Sequence, residues 1–128
     1  MIEYLNYGEV IRIHERVLET GGLTGIKDKG AIESAVSQPT ASFAGEDLYA
    51  TLHSKAACTA FQIARNHPFV DGNKRTAHAC VELFLLRNGY ELRAGVEEQE
   101  VFFEEVAEGA VSREELSAWI EGHMVMRE

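Results

Sequence analysis

Two cysteines, two prolines and no long apolar run mark what this chain of 128 residues does without. Cys58 and Cys80 lie in separate helix-like stretches, with neither the spacing of a zinc site nor the density of a disulfide scaffold, so both are expected to stay reduced. Nothing approaches the roughly 18 consecutive apolar residues that a membrane helix needs. The opening MIEYLNYGEV has neither the basic flank nor the apolar core of a signal peptide, so a cytoplasmic location is the expectation. Cations are scarce as well: 12 Lys and Arg against 21 Asp and Glu leave a net charge of −9, which argues against a broad face for DNA or RNA. What remains, 45% hydrophobic and 26% charged residues, is the balance of a chain that can pack a core. The length suits a single domain over residues 1–128, with no repeat or linker.

Helical spacing dominates the chain. Asn6 and Glu9 have capping-box spacing ahead of Val10, Ile13, His14, Val17 and Leu18, a first helix that ends before Gly21-Gly22. Asp28 is placed to cap a short second helix through Ala31, Ile32, Ala35 and Val36, which must stop before Pro39, leaving residues 38–45 as a loop. Residues 46–66 contain no proline or glycine and carry Leu48, Leu52, Ala56, Ala57, Ala60, Phe61, Ile63 and Ala64 on nearly every face; this predicts a buried central helix. Residues 72–88 predict a second one, ended by Gly89. An extended stretch over 90–95, an amphipathic helix over 97–108 and a last helix opened by Ser112 and Glu115 complete the chain, with Trp119 and Ile120 packing the last helix down. The fold class is therefore all-α, a compact bundle of about six helices around two buried ones.

Between those two buried helices stands Arg65-Asn66-His67-Pro68-Phe69-Val70-Asp71-Gly72-Asn73-Lys74-Arg75, far more polar than a structural loop requires. Pro68 keeps His67 out of helical geometry, so the first helix ends where an imidazole can project into a cleft, while Phe69 anchors the loop. Gly72 and Asn73 open the next helix, whose free N–H groups and dipole favour an anion such as phosphate. Lys74 and Arg75 add two cations to that turn, and Asp71 offers one hard oxygen ligand, which suits Mg²⁺ held mainly by phosphates and water. His67 can then take a proton from an incoming hydroxyl near neutral pH. His14, His53, His78 and His123 sit on helical faces without such companions and are expected to pack or to face solvent.

The run His67-Pro68-Phe69-x-Asp71-Gly72-Asn73-Lys74-Arg75 resembles the signature of the Fic superfamily, specifically its Doc branch of toxin–antitoxin proteins. The stretches IHERVLETGG, GIKDKGAIESA, GEDLYATLHSKAA and ELFLLRNGY extend the likeness over nearly the whole chain. The resemblance implies a compact helical fold, His67 as catalytic base, Asp71 on Mg²⁺, and Gly72, Asn73, Lys74 and Arg75 around the phosphates of ATP, with Lys74 and Arg75 also assisting catalysis. Arg65 resembles a further nucleotide-contacting arginine. AMP-transferring members resemble His-Pro-Phe-x-x-Gly-Asn-Gly-Arg, with glycine where Lys74 stands; a lysine fills the space through which phosphates approach the backbone and adds its own charge. The Doc-like Lys74 implies the reversed nucleotide, with the γ-phosphoryl group facing the target hydroxyl, and so a protein kinase. Pro68 and Gly72, by contrast, are residues of the AMP-transferring version. The likeness further implies a Ser or Thr hydroxyl on elongation factor Tu as target, a block of translation, and a small antitoxin whose disordered tail folds into a groove on the toxin.

Singly, Asp71-Gly72-Asn73 is a turn with a helix start and Lys74-Arg75 an exposed first turn, as local rules predict without function. A non-catalytic nucleotide-binding or protein-binding module on the same scaffold is the rival of the enzyme. The convergence of a proline-fixed histidine, a carboxylate, an anion turn and two cations favours catalysis. Ser117-x-x-x-Glu121-Gly122 resembles the self-inhibitory motif of some Fic proteins, but its pattern is short and ordinary packing of the last helix explains it.

Overall fold

A computed structural model describes all of residues 1–128. Six helices account for the architecture: α1 Tyr7–Val17, α2 Lys29–Ser37, α3 Leu52–Asn66, α4 Asn73–Arg87, α5 Val96–Glu108 and α6 Arg113–His123. Four of them begin where a side-chain oxygen satisfies a free N–H: Asn6 for α1, Asp28 for α2, Thr51 for α3 and Ser112 for α6. At Asn6 and Ser112 the return bond comes from the glutamate three residues on.

α3 is the centre of the molecule, with every residue from Lys55 to Ala60 buried, and it packs against α2, α4, α5 and α6. Its buried face is largely alanine, so its neighbours approach closely, and the larger Ile32, Ile63, Phe69, Val81, Leu85, Phe103, Leu116 and Ile120 fill the space between helices. Two small antiparallel ribbons trim the bundle. β1 Ser42–Phe43 pairs with β2 Glu46–Asp47, and β3 Tyr90–Leu92 pairs with β4 Met124–Met126 in the register Tyr90↔Met126, Leu92↔Met124. No helix is long and apolar enough to cross a membrane. Cys58 and Cys80 are separate buried thiols, and burial pushes the Cys80 thiol up to about 12.

The expected helix over 46–66 is shorter than the sequence pattern suggests. It begins only at Leu52, because Thr51 accepts the Ser54 N–H at 3.1 Å while Ser54 Oγ accepts the Thr51 N–H at 3.0 Å, a reciprocal cap that fixes the start. Upstream, Ala44 and Gly45 turn the chain with positive φ into the β1–β2 ribbon, and the buried Lys55 ammonium holds that segment through Asp47 and the Tyr49 carbonyl. Leu48 is consequently 60% exposed rather than a core residue. Thr51→Ala is expected to cost about 1 kcal/mol of stability in urea unfolding. Leu48→Ala, with nothing packed on it, should stay within about 0.5 kcal/mol of the parent.

Candidate active site

The loop between α3 and α4 is held from several sides. His67 closes α3 in the left-handed region, φ 48° and ψ 59°, an arrangement that costs a non-glycine residue about 1–3 kcal/mol and persists only when its surroundings enforce it. The enforcement is visible next door. Pro68 and Phe69 are fully buried, the Pro68 carbonyl accepts the Lys27 and Asp28 N–H groups at 2.7 and 3.1 Å, and the Val70 N–H donates to the Gly25 carbonyl at 3.0 Å. The Asn73 side chain clamps Phe69 at both ends, accepting its N–H and donating to its carbonyl, each at 2.9 Å. His14 is nearly buried, stacks on the Phe69 ring at 3.7 Å and donates from Nε2 to the Asp71 carbonyl at 2.8 Å. The sequence left His14 to pack or to face solvent, and it packs; what spacing alone did not reveal is that it holds this particular loop.

Gly72 is the N-cap of α4 at φ 80°, with no side chain to occupy the first N–H groups of the helix. Those donors and the positive end of the dipole therefore face outward, as an anion site requires. Asp71 accepts the Leu23 N–H at 3.1 Å and the Gly72 N–H at 2.8 Å, and these two bonds hold its carboxyl below the usual aspartate range. It is thus a stable carboxylate. Arg75 donates from Nη1 to the Val17 carbonyl at 2.9 Å and to Thr20 Oγ1 at 3.2 Å, and from Nη2 to the Gly21 carbonyl at 3.0 Å. Lys74 leans the other way and pairs with Glu104 of α5 at 3.6 Å.

His67, Asp71, Gly72, Asn73, Lys74 and Arg75 all line one open cavity of about 460 Å³, closed on its far side by Glu104, Ala107 and Glu108 of α5. Asn73 contributes there through its backbone, since its amide is taken by Phe69. Arg65 stands apart from that lining: its guanidinium lies over the Phe61 ring at 5.9 Å and against Gly109, where an added Cβ would come within 2.7 Å of it. The wall from α5 was not foreseen, although Glu104 and Glu108 are one turn apart on a helix read correctly; nothing in the sequence says which helix faces the loop. No three His, Cys, Asp or Glu side chains converge to hold a metal. The donor set fits only an ion that brings most of its own ligands, as Mg²⁺ on a polyphosphate does, with Asp71 as the carboxylate beside the start of α4 while Glu104 pairs with Lys74 on the opposite wall.

Ser117 and Glu121 lie elsewhere. α6 packs on α3, His53 Nδ1 is 3.0 Å from Ser117 Oγ, and His53 Nε2 is 3.4 Å from Glu121. Neither residue lines the cavity, so ordinary helix docking accounts for the motif-like pattern.

A convergent imidazole, an anchored carboxylate, an uncapped helix start and two cations can place a polyphosphate beside a base. Comparison with known proteins shows which family the chain resembles. The sequence model of the Fic/DOC family matches residues 4–85. A curated relative in Mycolicibacterium smegmatis, named Toxin Doc, is 37% identical over 124 residues, covering 95% of this chain and 94% of the relative. A second, named Protein kinase doc, from Escherichia phage P1, is 34% identical over 92 residues, covering 71% of this chain and 72% of the relative.

Proposed function

The chain belongs to the Fic/DOC family, and from that premise we propose that it is a toxin that phosphorylates a Ser or Thr hydroxyl on a target protein, using Mg-bound ATP. Lys74, standing in the phosphate turn where AMP-transferring members have glycine, is the observation that carries this reading. The similarity to a relative named as a protein kinase supports it. In the proposed reaction the imidazole of His67 takes the proton of the acceptor hydroxyl as its oxygen bonds to the γ-phosphorus. The bond from that phosphorus to the bridging oxygen breaks, and ADP leaves with the electron pair. The α4 N–H groups, Lys74 and Arg75 hold the phosphates in line with that attack. Mg²⁺ at Asp71 would supply charge neutralisation. Pro68 and Gly72, the residues of the AMP-transferring version, favour adenylylation as the second reading.

Elongation factor Tu in the cytoplasm is the proposed target, its modification blocking translation, and a small antitoxin is the proposed control. A groove of about 650 Å³ between α1, α4 and α5 adjoins the phosphate turn and shares Lys74, Arg75 and Glu104 with it. It offers Val17, Ala79 and the exposed Val96 as apolar contacts under a charged rim, a surface suited to an amphipathic helix. Expression of the chain without a partner is expected to arrest growth and add a phosphoryl group, read by mass, to elongation factor Tu. Glu121→Gly should behave like the parent, because Glu121 lies beside His53 and does not line the cavity that Arg75 lines. An inert parent beside a toxic Glu121→Gly variant would mean that the last helix, not an antitoxin, silences the site.

A further inference from the structure

Asp71 stands just before the Gly72 N-cap and Arg75 in the first turn of α4, opposite charges four residues apart at the mouth of one helix. They do not meet. Each is drawn instead to the end of α1 and the segment that follows it: Arg75 to the Val17 and Gly21 carbonyls and Thr20 Oγ1, Asp71 to the Leu23 N–H. Thr20 closes this arrangement by donating its own hydroxyl to the Val17 carbonyl at 3.2 Å, so one carbonyl binds Thr20 and Arg75 together. Gly22 sits between the two charged groups. A Cβ there would stand 3.1 Å from Arg75 Nη2, 3.1 Å from Asp71 Oδ2 and 2.6 Å from Leu18 Cδ2, at a φ of 132° that favours glycine. Backbone is the only thing thin enough for that gap.

We infer that residues 20–23 form a spacer that keeps Arg75 and Asp71 from pairing with each other, with Thr20 and Gly22 as its positioning residues. A paired Arg75 and Asp71 would neutralise one another and turn their polar atoms inward. Held apart, Arg75 keeps N–H donors for a phosphate, and Asp71 keeps lone pairs for a cation. The gain for a nucleotide rests on the Mg–ATP reading above, whereas the separation of the two charges does not.

Two variants test it, each in the full chain. Gly22→Ala forces the spacer outward, and Thr20→Val removes one anchor of Arg75 without changing side-chain volume much. In the nucleotide-free crystal structure of either, Arg75 and Asp71 are expected to close to within about 4 Å. The Km for Mg–ATP should rise about tenfold while kcat changes much less, the equivalent of one charge-assisted hydrogen bond. Thr20→Ser should restore the parent values, which a merely structural role of the methyl group would not allow. If both variants fold and the charges stay apart, the spacer is wrong. If they pair and nucleotide affinity is unchanged, its role toward the ligand is wrong. If the parent itself binds no Mg–ATP, the proposed function fails, and the spacer stands or falls on the charge separation alone.

Discussion

His67→Ala is expected to lower phosphoryl transfer by about 10²–10⁴-fold, the range for removal of a positioned base, while Mg–ATP affinity stays close to the parent value. The separation of the two effects follows from geometry. His67 is exposed at the mouth of the cavity and makes no hydrogen bond that holds the loop, whereas the phosphate turn is built from α4, Lys74 and Arg75. Loss of the imidazole therefore removes a proton acceptor and leaves the cradle standing. His67→Gly sharpens the experiment, since the left-handed backbone at φ 48° suits glycine better than alanine. Both variants should be equally inactive, with His67→Gly at least as stable as His67→Ala, so that lost activity cannot be traced to a misfolded loop. Undiminished turnover in either would remove His67 from the chemistry.

Arg75→Ala should weaken Mg–ATP binding about 10- to 100-fold by calorimetry, the equivalent of about 1.5–3 kcal/mol for hydrogen bonds to a charged group. It should also destabilise the chain modestly, because it removes the guanidinium that ties the Val17 and Gly21 carbonyls to α4. Arg75→Lys separates the two consequences by keeping the charge without the planar fork. Asp71→Asn should lose the Mg²⁺-dependent part of binding and little else. The pH dependence has a definite sign. Two backbone N–H groups hold the Asp71 carboxyl below the usual range, so whatever its ionised form contributes is fully present above the unfolded-state value and lost only as pH falls through the lowered, folded-state one. Mg²⁺-dependent binding should accordingly persist on acidification beyond the point where an ordinary aspartate protonates, and Asp71→Asn should abolish that dependence.

Much of this architecture was legible because its signals are local. Asn6 with Glu9, Asp28, and Ser112 with Glu115 announced three helix starts, and Pro68 and Gly72 marked the limits of the loop. α3 starts six residues after the expected position because the reciprocal cap of Thr51 and Ser54 outweighs an apolar pattern that continues upstream. β4 was missed because Met124–Met126 is strand-like only through its pairing with Tyr90–Leu92, which no neighbouring residue encodes. The site divides in the same way. Residues 67–75 are contiguous and could be read together, but His14 beneath Phe69, Glu104 opposite Lys74 and Gly22 between Asp71 and Arg75 reach these residues from distant parts of the chain. Their roles exist only once α1 and α5 have docked on α4.

The central claim, that Lys74 marks γ-phosphoryl transfer, is tested most directly with ATP labelled separately at the α- and γ-phosphates and elongation factor Tu as acceptor. The account predicts label on the acceptor from the γ-phosphate alone, absent in the His67→Ala control. Label arriving from the α-phosphate would contradict it and make the chain an adenylyltransferase.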